Sequence, residues 1–309
     1  MSLGSGARWV ARNLALLTLL GALVAYFHPP LFLVFAQSFL WFFAATMFAV
    51  GVVLEPAEVA ETVRSPAQVG LGVLTQFLVM PVLGFTAALL APVQPEIALG
   101  FIIVGCAPGA MASNVIVYLA GGAVAYSVAL TTVATLAAPL LTPSLVQWLG
   151  GVFFEIPFWP MVTTILWTVV IPLLAGALVR RLLGAHVQQA KTLAPALAAV
   201  AIVVICSYAV AANQARIAQV GVWVVAMVIS VNALGYAAGW WLGRLYRFDR
   251  RHRLTLAIEI GMQNAGLGVA LALQHFDPAT ALPGALFAVW CILTAAGASA
   301  WLRRHPVTI

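Results

Sequence analysis

Long apolar segments follow one another along almost the whole chain, and short polar stretches separate them. Most are close to the ~20 residues that a helix needs to cross a hydrocarbon core of about 30 Å. The pattern predicts an all-α integral membrane protein in which residues 1–309 form a single transmembrane domain. The ten predicted spans cover about residues 13–28, 31–54, 67–91, 96–120, 123–149, 157–183, 192–212, 217–243, 254–275 and 279–302.

The composition agrees with this pattern. Hydrophobic residues make up 64% and charged residues 7% of the chain, whereas roughly a quarter of the residues of a soluble domain are charged. Arg8 and Arg12 precede the first apolar segment, as in a signal peptide. That segment continues into His28-Pro29-Pro30 without a clear small-residue cleavage site. We therefore interpret it as an uncleaved first span.

The positive charges lie almost entirely on one side of the predicted spans. Of the 14 Lys and Arg residues, all except Arg216 fall on the side that carries both termini and the even-numbered connections. Because cytoplasmic connections are rich in Lys and Arg, this asymmetry predicts that both termini are cytoplasmic. It also accounts for the net charge of +6 without a nucleic-acid partner.

Ten spans divide into two halves of five near residues 150–156, where Gly150, Gly151 and Glu155 interrupt the apolar pattern. Because five is an odd number, the second half must enter the membrane in the opposite orientation to the first. Such inverted repeats are frequent among transporters, in which interrupted helices form sites near the middle of the bilayer.

The fourth and ninth spans, which correspond in the two halves, both contain helix-breaking sequences. Pro108-Gly109 removes a backbone donor within the fourth span, and glycines follow Glu259 in the ninth. Asn114 and Asn264 in these segments are 150 positions apart, about half the chain. One interruption alone indicates no more than a kink. The matched pair beside polar side chains predicts two discontinuous helices around a binding site.

Glu259 is the one acidic residue that lies well inside an apolar segment, since the other acids fall at segment edges or between segments. A carboxylate at membrane depth costs at least a few kcal/mol unless it is compensated, so it marks a functional site. The other polar side chains of the spans offer neutral oxygen atoms, which suit a hard cation, and His and Cys do not cluster as a transition metal requires. One carboxylate with amides and hydroxyls favours Na⁺. These polar residues include Gln76, Ser113, Asn114, Ser127, Thr131, Thr132, Gln263 and Asn264.

The half-helices that resume after the two interruptions are expected to present free N–H groups and positive dipole ends. Such ends favour an anionic or carboxylate-bearing substrate, and no Arg or Lys lies at the predicted midplane to bind an anion instead. The predicted substrate-binding residues are Ala110, Met111, Ala112, Asn264 and Gly266.

Several motifs resemble the bile acid:sodium symporter family, particularly its bacterial members, from about residue 40 onward. They are Pro108-Gly109 through Ser113-Asn114-Val-Ile-Val-Tyr-Leu-Ala120, Ser127 to Pro139 with Thr142-Pro143, Glu259-Ile-Gly-Met-Gln-Asn-Ala-Gly-Leu267 and Pro283-Gly-Ala-Leu-Phe-Ala-Val-Trp290. The resemblance implies ten helices in a panel domain (about residues 13–54 and 157–212) and a core domain (about residues 67–149 and 217–302). The two discontinuous helices would cross in the core.

The resemblance also implies two sodium sites. The first would use Ser113, Asn114, Ser127, Thr131 and Glu259, and the second Gln76, Glu259 and Gln263 with the carbonyl oxygens of Ile260 and Met262. Bacterial members often have Gly-Gly-Thr where this chain has Gly109-Ala110-Met111, and a His-Asn pair where it has Cys291-Ile292. These departures border the implied substrate cavity and indicate a less polar pocket.

Together these observations predict a secondary active transporter of the bacterial inner membrane that couples two Na⁺ to the symport of an organic anion by alternating access. The anion is either bile-acid-like or a small carboxylate such as pantoate.

A proton-coupled carrier, in which Glu259 titrates, is the first rival, and it would not need the neutral oxygen ligands. A non-transporting membrane sensor or structural protein would not need paired interruptions, and an enzyme would need a nucleophile–base pair or metal ligands that no span offers. Sodium, the anion and the lipid bilayer are the expected partners, with no obligate protein partner.

Overall fold

The computed structural model describes residues 3–55 and 65–304. Every regular element in these ranges is a helix, apart from one isolated bridge between two residues, so the prediction of an all-α protein is confirmed there. Arg64, one of the predicted cytoplasmic charges, lies outside the described residues. The helices are α1 (Leu3–Arg12), α2 (Leu14–Phe27), α3 (Pro30–Leu33), α4 (Phe39–Val53), α5 (Pro66–Leu90), α6 (Pro95–Gly105), α7 (Ser113–Leu119), α8 (Val124–Gly150), α9 (Phe158–Leu182, with a π-helical segment at Leu166–Val170), α10 (Val187–Ala212), α11 (Gln214–Leu245), α12 (Arg250–Gly261), α13 (Ala265–His275) and α14 (Leu282–Arg304).

Within the described residues, six helices are long and apolar enough to cross a bilayer on their own, and a bent pair formed by α1 and α2 would make a seventh. The chain is therefore a multi-pass membrane protein. Three further apolar helices are shorter, namely Phe39–Val53, Pro95–Gly105 and Ala265–His275. Ten crossings stay a prediction. The six long segments are Pro66–Leu90, Val124–Gly150, Phe158–Leu182, Val187–Ala212, Val222–Leu245 and Pro278–Ala295.

The sequence explains why the shorter helices are short. α6 ends at Gly105, just before Pro108, which cannot donate a backbone hydrogen bond. α13 begins after the Gly261–Asn264 interruption, and the preceding α12 starts with a charged sequence at Arg250–Arg253. The predicted second span is divided, because turns at residues 34–38 separate α3 from α4.

Helix packing brings the interrupted helices together with their neighbours. α4 packs against α9 and α10, and α10 also packs against α1 and α2. α11 packs along α12 and contacts α5 and α14, while α5 also packs against α6 and α8. α13 packs against α6 and α14. It also contacts α4 and α10, which pack against each other. The interrupted helices α6–α7 and α12–α13 therefore lie among α5, α8, α11 and α14.

Two glycines let α11 lie directly against α12, as the small-residue spacing of Gly235 and Gly239 predicts. A Cβ atom on Gly235 would lie 3.2 Å from the Cα of Gly261, and one on Gly239 would lie 2.7 Å from the Cα of Ala257. Larger side chains at these positions would push the two backbones apart. The end of α12 is therefore held closely against α11.

Glu55, directly after α4, connects three helices. Lys191 of α10 donates to its carboxylate, Arg180 of α9 lies 3.8 Å from it, and the Arg180 guanidinium also donates to the Val53 carbonyl oxygen at 3.1 Å. The hydrogen bond and charge of Lys191 hold the pKa of Glu55 below its usual value, so this carboxylate is charged at neutral pH. The ion pairs tie the end of α4 to α9 and α10.

Candidate cation site at two interrupted helices

The breaks in the two interrupted helices lie against each other. Gly109, between α6 and α7, and Gln263, between α12 and α13, form an isolated antiparallel bridge. Ala110 N donates to Met262 O at 2.9 Å, and Asn264 N donates to Pro108 O at 2.8 Å. Each break thus satisfies backbone groups that the other leaves without a helical partner, as a non-helical backbone at membrane depth requires.

Two further carbonyl groups of the first break accept hydrogen bonds from neighbouring helices. Thr142 Oγ1 of α8 donates to Cys106 O at 2.8 Å, and Gln76 Nε2 of α5 donates to Ala107 O at 3.2 Å. Gln76 is one of the site residues predicted from the sequence. Thr142 appears there only within a family motif, because one hydroxyl in an apolar helix gives no sign of which carbonyl it meets.

The second break is satisfied in the same way. Asn232 Nδ2 of α11 donates to Gly261 O at 2.8 Å, and Gln263 Nε2 donates to Ile260 O at 3.2 Å. Asn232 is 1% exposed and was missed at the sequence level. Its only available signal was an amide in the middle of an apolar segment.

Glu259 is fully buried, and its carboxylate lies among hydroxyl groups from two other helices. Ser113 Oγ donates to Oε1 at 2.5 Å, Ser127 Oγ contacts the same oxygen, and Thr131 Oγ1 lies 3.4 Å from Oε2. Ser127 and Thr131 share one face of α8 because they are four residues apart. Asn114 Oδ1 lies 2.7 Å from Ser127 Oγ and 3.2 Å from Thr131 Oγ1. The five residues predicted for the first sodium site therefore converge on one point.

This cluster contains more acceptor oxygens than hydrogen atoms to donate. The Thr131 hydroxyl, which has one hydrogen, is within hydrogen-bond distance of the Ser127 carbonyl, Asn114 Oδ1 and a Glu259 oxygen. The Ser127 hydroxyl likewise contacts both Asn114 Oδ1 and a Glu259 oxygen. Since a hydroxyl has one hydrogen and two lone pairs, some of these oxygens meet without a hydrogen between them. A hard cation prefers such oxygen ligands, and it would compensate the buried negative charge. The oxygen ligands of this cluster fit Na⁺.

The residues predicted for the second sodium site also lie together. Gln76 Nε2 donates to Gln263 Oε1 at 2.9 Å, and Gln263 in turn reaches the Ile260 carbonyl. Gln76 Oε1 is buried and has no hydrogen-bond partner, so one acceptor there is left for a ligand. The Met262 carbonyl accepts from Ala110 N. Within the described part of the chain, no hydrogen bond joins these amides to Glu259.

The predicted substrate-binding residues lie on both sides of the crossing. Ala110, Met111 and Ala112 are partly exposed just before α7, but Ala110 N is occupied by Met262 O. Asn264 N is likewise engaged, and its Oδ1 accepts from Leu267 N at 3.1 Å as the N-cap of α13. Fewer N–H groups are therefore free than the sequence predicts. Asn264 Nδ2, however, is buried without a partner.

Gly266, the remaining predicted substrate-binding residue, lies beneath an aromatic ring of α4. A Cβ atom on Gly266 would lie 3.3 Å from Cε2 of Phe43 and 3.6 Å from Asn264 Oδ1. Phe43 is 1% exposed, so the N-terminus of α13 is covered by α4 in this conformation. A separate apolar cavity of about 260 Å³ lies between α2, α10, α11 and α14 and includes none of the predicted site residues.

A buried carboxylate among hydroxyl and amide oxygens, where two interrupted helices meet in a multi-pass membrane protein, is typical of ion-coupled transporters. The family comparison is consistent with this class. The model of the Sodium Bile acid symporter family matches residues 40–220, a range that includes Gln76, Ser113 and Ser127 and ends before Glu259. The chain belongs to this family.

Relatives are found in bacteria and in plants. The chain is 37% identical over 269 residues to the sodium-dependent transporter YocS of Bacillus subtilis (strain 168), covering 87% of this chain and 84% of the relative. It is 36% identical over 268 residues to the probable sodium/metabolite cotransporter BASS1, chloroplastic, of Oryza sativa subsp. japonica, covering 86% of this chain and 66% of the relative. The corresponding Arabidopsis thaliana protein is 34% identical over 263 residues, covering 84% and 66%. These relatives are described as transporters.

Proposed function

We propose that this protein is a secondary active transporter that carries Na⁺ together with an organic anion across a bacterial inner membrane. The observation that carries the proposal is the Glu259 cluster. It holds one buried carboxylate among Ser113, Asn114, Ser127 and Thr131, with more oxygen lone pairs than hydrogens. Membership of the Sodium Bile acid symporter family supports the same activity.

Two sodium ions are transported in each cycle. The first binds among Glu259 and the hydroxyl and amide oxygens of its cluster. The second binds Gln76, Gln263 and the carbonyl oxygens of Ile260 and Met262, with the Glu259 charge shared between the ions. The unpartnered Oε1 atom of Gln76 supports this second position.

The anion binds next to the ions, at the N-terminus of α13. The unpartnered Asn264 Nδ2 and the positive end of the helix dipole supply the attraction for a carboxylate. Residues Ala110–Ala112 form the opposite border. The substrate class comprises bile-acid-like steroids and small carboxylates such as pantoate, and the apolar Ala110-Met111 pair favours a substrate with little polarity on that side.

Transport proceeds by alternating access between a panel formed by α2, α4, α9 and α10 and a core formed by α5–α8 and α11–α14. This assignment rests on ten crossings arranged as two inverted repeats of five. Bound Na⁺ holds the two breaks in one arrangement, which completes the anion site. Phe43 of the panel, which now covers Gly266 of the core, must then move away from the substrate path.

The coupling makes transport electrogenic. Two Na⁺ with one monovalent anion carry one net positive charge inward, which a membrane potential favours by ~2.3 kcal/mol per 100 mV. The potential and the sodium gradient therefore both drive accumulation of the anion.

Binding of Na⁺ to the folded protein should be measurable as a rise in its melting temperature. NaCl should raise the melting temperature of the purified full-length protein in detergent, whereas KCl and choline chloride at equal ionic strength should not, because Na⁺ binds the folded state. In proteoliposomes, an inward Na⁺ gradient should drive uptake of a radiolabelled organic anion. Uptake that is driven by a pH gradient and unaffected by Na⁺ would support the proton-coupled alternative, and accumulation of the anion against its own gradient with neither ion gradient imposed would contradict both.

A further inference from the structure

Asn232 is a buried amide on α11 whose orientation is fixed by its neighbours. Its Nδ2 donates to the Gly261 carbonyl at 2.8 Å, and its Oδ1 accepts from Thr294 Oγ1 of α14 at 3.1 Å. The Tyr236 hydroxyl lies 3.2 Å from the same Thr294 oxygen. Because the Gly261 carbonyl can only accept, the NH₂ side of Asn232 must point towards α12, which leaves Oδ1 facing the Thr294 hydroxyl. The carbonyl oxygens of Trp290 and Cys291 lie 3.1 and 3.2 Å from the same Thr294 oxygen and compete for its single hydrogen.

Gly261 is the last residue of α12, and its peptide groups connect it to Ile260 and Met262. The carbonyls of those two neighbours are the backbone ligands proposed for the second sodium ion. A Cβ on Gly261 would lie only 2.3 Å from the Tyr236 ring, so α11 also confines this residue from the side. The geometry of the backbone ligands therefore depends on contacts that α11 makes with the residue between them.

The other broken helix has an equivalent contact. Gln76 Nε2 of α5 donates to the Ala107 carbonyl at the end of α6, as Asn232 Nδ2 of α11 does to the Gly261 carbonyl at the end of α12. The donor and the acceptor of the second contact lie 156 and 154 positions after those of the first. Both breaks are thus held by a buried amide from the helix that precedes the broken one.

We propose that Asn232 is a positioning residue of the second sodium site, and that Thr294 orients it. Neither residue binds the ion. Asn232 holds the Gly261 peptide so that the Ile260 and Met262 carbonyls point towards the ion, and Thr294 keeps the Asn232 amide turned the right way. The inference rests on the proposed function, because it concerns the sodium ion of that mechanism.

Loss of the Asn232 donor would leave a buried carbonyl without a partner, which is costly. The Gly261 peptide would rotate towards another donor, and rotation of one peptide group reorients the carbonyls on either side. The first sodium site, which consists of side chains, would keep its ligands. We therefore expect weaker sodium binding rather than a general loss of structure.

The test uses two substitutions at Thr294, one that removes the hydroxyl group and one that keeps it. Thr294→Val keeps the volume and removes the hydroxyl, and Thr294→Ser keeps the hydroxyl. Sodium is titrated against the purified full-length protein at constant ionic strength, with choline as the replacement cation, and the melting temperature is followed. Thr294→Val should raise the half-saturating sodium concentration by roughly three- to tenfold, the range that the net free energy of one hydrogen bond converts to. Thr294→Ser should behave like the wild type.

Asn232→Leu should raise the half-saturating sodium concentration further. Thr142→Val is the matched control for Thr294→Val. Thr142 makes an equivalent hydrogen bond to Cys106 at the end of α6, and neither Cys106 nor its two chain neighbours is a proposed sodium ligand. Thr142→Val should lower the melting temperature without sodium but leave the half-saturating concentration unchanged.

The outcomes separate this inference from the proposed function. If the wild type itself shows no sodium-dependent stabilisation, the proposed function fails. If the wild type responds and Thr294→Val only lowers the melting temperature, with the same half-saturating sodium concentration as Thr294→Ser, the positioning role is overturned. An equal shift in Thr142→Val would overturn it as well.

Discussion

Glu259 shows how a single residue connects sequence and mechanism. Its carboxylate is fully buried, and hydroxyl groups of Ser113 and Ser127 contact one of its oxygens. In the proposed mechanism a bound cation compensates the charge of this carboxylate, because hydrogen bonds from neutral hydroxyls do not remove it. The burial that makes the residue costly in isolation would then favour Na⁺ binding.

Two substitutions of Glu259 should distinguish the contribution of its negative charge to sodium binding from that of its side-chain oxygen. In Glu259→Ala, sodium-dependent stabilisation should disappear, because both proposed ions lose their shared charge. Glu259→Gln keeps an oxygen but not the charge, and its half-saturating sodium concentration should rise by more than about tenfold, since interactions with charged groups contribute about 1.5–3 kcal/mol. The measurement is the sodium-dependent melting temperature. Glu155→Gln, which alters an exposed carboxylate, is the control, and a wild-type sodium response in Glu259→Ala would contradict the assignment.

Residues differ in how visible they are from sequence. Glu259 could be identified because it is the one acid well inside an apolar segment, and its cost there is independent of the fold. Asn232 and Thr142 could not, because a neutral amide or hydroxyl in an apolar helix is inexpensive once it finds any partner. Only the packing of α11 and α8 against the broken helices determines which carbonyl each one meets.

At the scale of the helix, local chemistry predicts the two interruptions, whereas their meeting was implied only by the family resemblance. Pro108 and the glycines after Glu259 weaken each helix locally, which a sequence records directly. The exchange of hydrogen bonds between Ala110 and Met262, and between Asn264 and Pro108, requires the two breaks to meet. That contact also occupies N–H groups that would otherwise be free for a substrate.

Gly109 links the first break to the carboxylate. A Cβ at this position would lie 3.2 Å from Glu259 Oε2 and 3.6 Å from Thr131 Cγ2, so the carboxylate would have to shift by a few tenths of an ångström. Gly109 does not have a positive φ angle, so Gly109→Ala introduces a contact rather than backbone strain. The half-saturating sodium concentration should therefore rise several-fold in Gly109→Ala.

The matched control for this substitution is Gly70→Ala on α5. Nothing lies within 4 Å of a Cβ at Gly70, and alanine is favoured over glycine within a helix by up to ~1 kcal/mol. Gly70→Ala should thus keep the wild-type sodium response with equal or higher stability. If both alanine variants bind sodium like the wild type, Gly109 has no role in shaping the site.

For the whole molecule, the distribution of charge predicts an orientation that can be measured. The connection at residues 150–156 contains no positive charge, whereas the last turn of α9 carries Arg180 and Arg181. Positively charged connections remain in the cytoplasm. The two ends of α9 should therefore face opposite sides of the membrane.

Single cysteines at the two ends of α9 test this orientation. The native residues Cys106, Cys206 and Cys291 are buried and would be replaced by alanine. On intact cells, a membrane-impermeant maleimide should label Glu155→Cys and should label Arg181→Cys only after permeabilisation. Both positions are exposed, and the predicted topology places them on opposite sides of the membrane. The reverse labelling pattern, or labelling of both from outside, would contradict the predicted topology.

The sequence by itself determined that the protein is helical and embedded in a membrane, where its helices break, and which carboxylate marks the site. These features follow from local chemistry, namely the length of apolar segments, the missing donor of proline and the cost of a buried charge. The tertiary structure decided how the surrounding oxygens are arranged about Glu259, how the two breaks satisfy each other and which amide holds the Gly261 carbonyl. These features depend on contacts between helices that are far apart in sequence, and the apolar pattern is the same whichever helices meet.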